Sequence, residues 1–263
     1  MAHITFTRVL ILGACTASVG AGRAQEVSIP GEMAASAGGT SSTAAAGGGG
    51  SGGAPPATLR FSGRVVDEYS TDYPITDATI CVLDRADIPC ASADLQGAFS
   101  VFLAPHAETG LSITSTFGAP RLLAITTDAT DLDGYTIAVE YEKDTKDYYA
   151  FAAATYPDGG GFLRIDLIGF AKAGLQIAIS PASGLGPLYT GLDPLPAADP
   201  SLQATSTAGQ ARFADLDEGI VTVTVGPGVG CDNGLGGWPS LDPSKVRVPI
   251  RAGFETRAEL FCK

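Results

Sequence analysis

The sequence predicts an all-β fold: two small β-sandwiches carried behind a disordered amino-terminal stalk. Three observations predict it. From Leu59 onward, short runs of Val, Ile, Phe and Thr recur between Gly, Pro and Asp turns, at the spacing of sandwich strands. Helical periodicity sustained over three turns is hard to find. Residues 34–57 contain only Ala, Gly, Ser, Thr and Pro, a composition that cannot bury enough apolar surface to offset the entropy of ordering.

The amino terminus begins with a weakly basic start at Arg8 and continues into Val9-Leu10-Ile11-Leu12, which suits a secretory signal. Two processing routes are open. Leu12-Gly13-Ala14-Cys15 has the form of a bacterial lipoprotein site, which removes residues 1–14 and makes Cys15 the lipidation candidate. Ordinary cleavage after Ala24 removes residues 1–24 instead. The apolar run is too short for a transmembrane helix, which needs roughly 20 residues. Residues 25–57 then read as a disordered linker. The tract at 34–57 spans at most about 80 Å when fully extended and about 27 Å as a flexible coil. Either route places the chain outside the cytosol, in the cell envelope or secreted.

Cysteine usage agrees with export. Apart from Cys15, the chain carries Cys81, Cys90, Cys231 and Cys262. The economical pairing is Cys81–Cys90 and Cys231–Cys262, although such a set allows two other connectivities. Bridges of this size contribute roughly 3 kcal/mol each in the chain-entropy model and persist in oxidising compartments. No Cys-x-x-Cys spacing is present and histidine is scarce, so no metal site is assigned.

Strands are expected at Leu59–Val65, Thr79–Leu83, Phe99–Leu103, Leu111–Thr114, Arg121–Thr126 and Tyr135–Tyr141. A second series is expected at Phe162–Ile168, Leu175–Ser180, Ala211–Phe213, Gly219–Val225, Val246–Ile250 and Glu255–Phe261. In Ile220-Val221-Thr222-Val223-Thr224-Val225 the valines share one face of a strand, opposite Ile220 and the threonines. The charged stretch Glu142–Asp147 marks the boundary, giving sandwiches over 58–145 and 146–263, with Tyr148 and Tyr149 packing between them.

The first half resembles the carboxypeptidase regulatory-like family, a transthyretin-like sandwich. The matching residues are Phe61-Ser62-Gly63-Arg64-Val65-Val66-Asp67, Pro74-Ile75-Thr76-Asp77-Ala78-Thr79-Ile80-Cys81, Gly97-Ala98-Phe99-Ser100 and Pro105. The second half is similar through Ala173-Gly174-Leu175-Gln176-Ile177, the stretch from Thr207 to Phe213, and Gly219. The resemblance implies two transthyretin/immunoglobulin-like sandwiches and an accessory folding, spacing or binding module without catalysis. The peptidase needs His-x-x-Glu and a distant His, whereas His106-Ala107-Glu108 has the wrong spacing.

Other chemistry is poorly represented. His106 is the only histidine outside the signal, it follows Pro105 in a loop, and no Gly-x-Ser-x-Gly elbow exists to pair with it. Asp215, Asp217 and Glu218 lie at a strand-to-strand turn, where solvated acids are expected. Asp131-Leu132-Asp133-Gly134 lacks the spacing and final Glu of a calcium-binding hand. No catalytic residue and no cofactor is assigned. A net charge of −12 with no basic run argues against nucleic acid as a partner, and against a membrane surface other than through a lipid anchor. Trp238, between Gly237 and Pro239 on a cysteine-anchored loop, together with Tyr189, is the candidate ligand-binding surface, the other reading being that Trp238 folds back to cap the sandwich. The sequence therefore reads as a structural or adhesion-like module for an envelope or extracellular protein partner, with glycan binding around Trp238 as the alternative.

Overall fold

The computed structural model describes residues 58–169, 172–192, 197–226, 229–242 and 244–263. The signal, Cys15 and the 25–57 linker lie outside the described residues. The protein is all-β, as the sequence predicts, with two sandwich lobes.

The first lobe contains β1 (Leu59–Asp67), β2 (Thr79–Val82), β3 (Ala91–Ser92), β4 (Ala98–Leu103), β5 (Glu108–Thr114), β6 (Arg121–Thr126) and β7 (Leu132–Val139). Strand β1 lies between β4, antiparallel, and β7, parallel. Alternation along these strands puts Phe61, Val65, Phe99, Val101 and Ile137 into a buried core shared with Ile80, Leu111, Ile113 and Leu123 of β2, β5 and β6. Gly63 lets β1 and β7 approach closely: a Cβ there would run into the Tyr135 carbonyl.

The second lobe contains β8 (Gly161–Gly169), β9 (Ile177–Ser180), β10 (Leu185–Gly191), β11 (Ala197–Ala198), β12 (Gln210–Leu216), β13 (Gly219–Val225), β14 (Cys231–Asn233), β15 (Trp238–Pro239), β16 (Lys245–Ile250) and β17 (Glu255–Cys262). Its four-stranded sheet runs β15-β16-β13-β9. Val221, Val223 and Val225 are buried as expected, while Ile220 is exposed. They pack with Leu163, Ile165, Phe213, Val248 and Leu260.

The two lobes share a sheet. Its order is β11-β10-β12-β8-β17-β6-β5-β2-β3, with β14 added on β17. The joint is the parallel pairing of β17 with β6, Glu255 opposite Arg121 and Thr256 opposite Leu122. Because paired residues point to the same side, the faces can be followed across the joint. The face carrying Leu163, Ile165, Thr256 and Ala258 is the core face of the second lobe and continues to Leu122. The face carrying Arg164, Arg212 and Glu255 continues to Arg121 and Leu123, the core face of the first lobe. The sandwiches therefore sit on opposite faces of one sheet, and the described residues belong to one compact unit.

The segment read as a charged boundary is the start of a helix, α1 (Glu142–Ala150). Its exposed side carries the i,i+4 pair Lys146–Glu142 at 2.8 Å and a second pair, Lys143–Asp147. These offset weak intrinsic amphipathicity. Its buried side, Thr145, Tyr148 and Tyr149, packs toward the sheet. Tyr148 and Tyr149 belong to an aromatic cluster with Tyr156 and Phe162, consistent with packing between lobes. Both bridges expected from the cysteine spacing are present, Cys81–Cys90 and Cys231–Cys262. Among the described residues no helix is long and apolar enough to cross a membrane.

Candidate functional site

The densest polar assembly lies at the junction of the lobes. On the face of the shared sheet turned away from the second core, strand register sets Arg212, Arg164 and Arg257 side by side. The next row is Gln210, Asp166 and Glu259. Three adjacent guanidiniums repel one another, and the first lobe supplies compensating acids. Glu68 follows β1 and Glu140 follows β7.

Arg164 grips Glu68 with both ends, Nη2 to Oε1 at 2.5 Å and Nη1 to Oε2 at 3.0 Å. Its Nε donates to Asp166 Oδ1 at 3.0 Å. Arg212 Nη1 lies 2.9 Å from Glu140 Oε2 and 3.2 Å from Glu255 Oε1, and its Nη2 donates to Glu140 Oε1 at 3.2 Å. Arg257 bridges Glu68, at 3.3 Å, and Asp166. Neutral donors complete the assembly: the Tyr69 hydroxyl to Glu140 at 3.1 Å, the Thr145 hydroxyl to Glu140 at 3.2 Å, and the Tyr149 hydroxyl to Glu255 at 2.8 Å. The Arg212 guanidinium lies 4.1 Å from the centre of the Tyr148 ring, a cation–π contact.

Burial and pairing set the proton affinities. Burial pushes the Asp166 carboxyl up, but Arg164 and Arg257 override it and hold it well below the usual carboxylate range. Glu140 is likewise driven up by burial and brought below its usual value by Arg212 and Arg164. Glu255 goes the other way. Its burial, with the nearby Glu140 charge, outweighs Arg212 and raises it. Arg121 is pushed down to about 10 by burial and by the Arg257 charge. Its Nη1 donates to the Ala138 carbonyl, while its Nε is buried without a partner.

Each acid here is held by a guanidinium, and the side chains of Arg164 and Arg212 are only 7% and 3% exposed. Such a network contributes little net stability compared with apolar residues of the same shape, but breaking one partner is costly. Its physical effect is to fix how the first lobe seats on the shared sheet.

The residues singled out from the sequence are dispersed. Trp238 is 8% exposed and its indole N–H donates to the Ile125 carbonyl at 3.0 Å. Of the two readings open for this ring, it takes the packing one: it ties β15 to β6 of the first lobe. Tyr189 is 3% exposed, and its hydroxyl accepts the Ile177 amide at 3.0 Å. It lies on a different sheet from Trp238, and the structure does not join the two into one surface. Tyr189 instead borders a pocket of about 530 Å³ shared with Phe151, Pro187, Leu188, Pro200 and Leu202.

His106 sits exposed in the β4–β5 loop with a φ of 52°. Asp217 and Glu218 are exposed at the β12–β13 turn, where Glu218 accepts the Ala252 amide at 3.0 Å. Asp131 and Asp133 are used to pin β1: Asp131 accepts the Arg60 amide at 2.8 Å, and Asp133 pairs with the Arg60 guanidinium at 2.9 Å. Among the described residues no group of three or more His, Cys, Asp or Glu side chains is placed to hold a metal ion.

The sequence reading missed the charged junction. Its signal was an Arg or Asp at alternate positions of otherwise apolar strands, as in Phe162-Leu163-Arg164-Ile165-Asp166-Leu167. Alternation marks a polar face without revealing that another lobe covers it.

No protein-family model matches the chain, and no curated protein matches it. Among solved structures it is similar to the Bacillus anthracis TIE protein, with 13% identity and a TM-score of 0.27, over 78% of this chain and 34% of that one. The chain thus spans about a third of that protein's length. It is also similar to GBS52, the minor pilin of Streptococcus agalactiae, with 11% identity and a TM-score of 0.25, over 78% of this chain and 95% of that one. The shaft pilin SpaA of Lactobacillus rhamnosus GG gives 9% identity and a TM-score of 0.22, over 79% of this chain and 98% of that one.

Proposed function

We propose that this chain is a non-catalytic structural or adhesion-like module that works outside the cytosol, with its two lobes held as one stiff body. The carrying observation is the single sheet that runs through both lobes and is locked by buried ion pairs between Arg164 or Arg212 and acids of the first lobe. A hinged binding cleft requires lobes that move apart, the default for domains without a large hydrophobic interface, and the continuous sheet and buried ion pairs oppose it here. Here separation would strip Glu68 and Glu140 from their guanidiniums. Two disulfides fit an oxidising compartment. In this reading both halves are carboxypeptidase regulatory-like accessory modules, and Cys15 is the point of lipid attachment.

The glycan alternative loses its main platform, because Trp238 is buried. Cross-linking on intact cells tests the proposal. Discrete envelope or extracellular protein partners are expected on the full-length chain; a surface-exposed protein that yields no cross-linked partner would count against it. Intact mass of the mature amino terminus tests the anchor: a diacylglyceryl adduct on Cys15 supports tethering, and a start at Gln25 removes it.

A further inference from the structure

Three tyrosines of the first lobe stay exposed beside the charged junction, which only Tyr69 touches, through its hydroxyl bond to Glu140. Tyr69, Tyr73 and Tyr141 are 64%, 69% and 43% exposed. With Asp67 and Pro74 they line a pocket of about 360 Å³, within the size range of small-molecule sites. Among the described residues none of these rings pairs with another aromatic ring. All three side chains are exposed to solvent.

The backbone holding them is preorganised. The Asp67 amide donates to the Tyr73 carbonyl and the Tyr73 amide to the Ser70 carbonyl, each at 2.9 Å. Asp67 Oδ1 accepts the amides of Tyr69 at 2.7 Å and Ser70 at 3.3 Å. Pro74 is bridged to Val66, and Tyr141 to Gly118. The Tyr69 ring is further fixed by its hydroxyl bond to Glu140. A site already ordered in its binding geometry spends little free energy on ligand ordering.

Its charge is negative. Asp67 is buried and lines the pocket, and its carboxylate holds the Tyr141 phenol above its usual range. Asp144 and Glu68 add to the field at the Tyr69 hydroxyl. The nearby cations are already paired, Lys146 with Glu142 and Lys143 with Asp147. Exposed aromatic rings around negative charge suit a cation. Asp67 Oδ1 already accepts two backbone amides, and both Glu140 oxygens are held by hydroxyls and arginines. A sugar or a primary ammonium would need free acceptors to replace its water. A quaternary ammonium has no N–H to donate and needs only the ring faces and the field.

We propose that the Tyr69–Tyr73–Tyr141 pocket binds a small quaternary ammonium ligand of the choline type. The test is titration of the folded protein with choline and with its neutral isostere 3,3-dimethylbutan-1-ol, followed by tyrosine resonances. L-lysine methyl ester and glucose serve as competitors of other chemistry. Saturable choline binding, at least about tenfold tighter than the isostere, is expected from cation–π attraction. Tyr73 is mostly exposed, so substitutions there leave the fold intact, which an unchanged urea midpoint verifies. Tyr73→Phe should retain binding, and Tyr73→Leu should weaken it by about threefold or more. Equal binding of choline and the isostere, no saturable choline binding, tighter binding of the lysine ester or glucose, or full affinity in Tyr73→Leu would each overturn the assignment.

Discussion

Replacing Arg212 with alanine removes the cation shared by Glu140 and Glu255 at the centre of the junction. The two acids are left in different positions. Glu140 keeps Arg164 at 3.4 Å and the hydroxyls of Tyr69 and Thr145. Glu255 keeps the Tyr149 hydroxyl at 2.8 Å, and its carboxyl is already raised by burial. An uncompensated buried charge costs about 3–5 kcal/mol, and losing the contact with Tyr148 adds about 1 kcal/mol. Urea unfolding followed by the fluorescence of Trp238 reads this directly. With a slope of about 2 kcal/mol per molar urea, the midpoint should fall by about 2 M at neutral pH. Acidification should narrow the deficit, since protonating Glu255 removes the charge that has lost its partner. Adding Glu255→Gln to Arg212→Ala should recover a substantial part of the loss. A deficit below about 1 kcal/mol at neutral pH, or one that does not shrink on acidification, would refute this view of the junction.

The acid limb of the stability curve follows from Asp166 and Glu140. Both carboxyls are held below their ordinary values of 3.8 and 4.5, so their contribution is complete above that range. It is lost as pH falls through the folded-state values, and Asp166→Asn should flatten this limb in urea titrations. Reducing Cys231–Cys262, which spans 31 residues, should cost about 3.7 kcal/mol in the chain-entropy model, against about 2.6 kcal/mol for the 9-residue Cys81–Cys90 bridge. Cys→Ser variants of each pair, compared by thermal unfolding, check the order. Gly63→Ala should destabilise by about 1–3 kcal/mol, because the new methyl meets the Tyr135 backbone carbonyl rather than a side chain that can move; unchanged urea stability would contradict that close approach.

The strands were legible where a sandwich core demands alternation. Arg121–Thr126 and Gly219–Val225 coincide with the expected segments, and Phe99 and Phe213, on expected strands, are buried. Strand β10 was not legible, because Leu185-Gly186-Pro187 reads as a loop by local chemistry, and only pairing with β12 makes it a strand. Helix α1 was hidden for a related reason. Glu142 to Asp147 are charged on the solvent side, and the apolar face consists of little more than Tyr148 and Tyr149. The junction was the least legible feature. Arg164 and Asp166 belong to the second half, whereas Glu68 and Glu140 lie 96 and 24 residues from Arg164 in the first. The pairing of β17 with β6 brings them together, joining residues far apart in sequence. For Trp238 the sequence left capping and ligand stacking both open, and its partner, the Ile125 carbonyl 113 residues away, was not legible.

Native-state hydrogen exchange along a urea series tests the central claim, that one shared sheet makes the two lobes a single cooperative body. The slowest amides of β1 and β4 in the first lobe, and of β13 and β16 in the second, should merge onto one unfolding free energy and one denaturant slope. Two separate isotherms, with one lobe opening while the other keeps its protection, would contradict it.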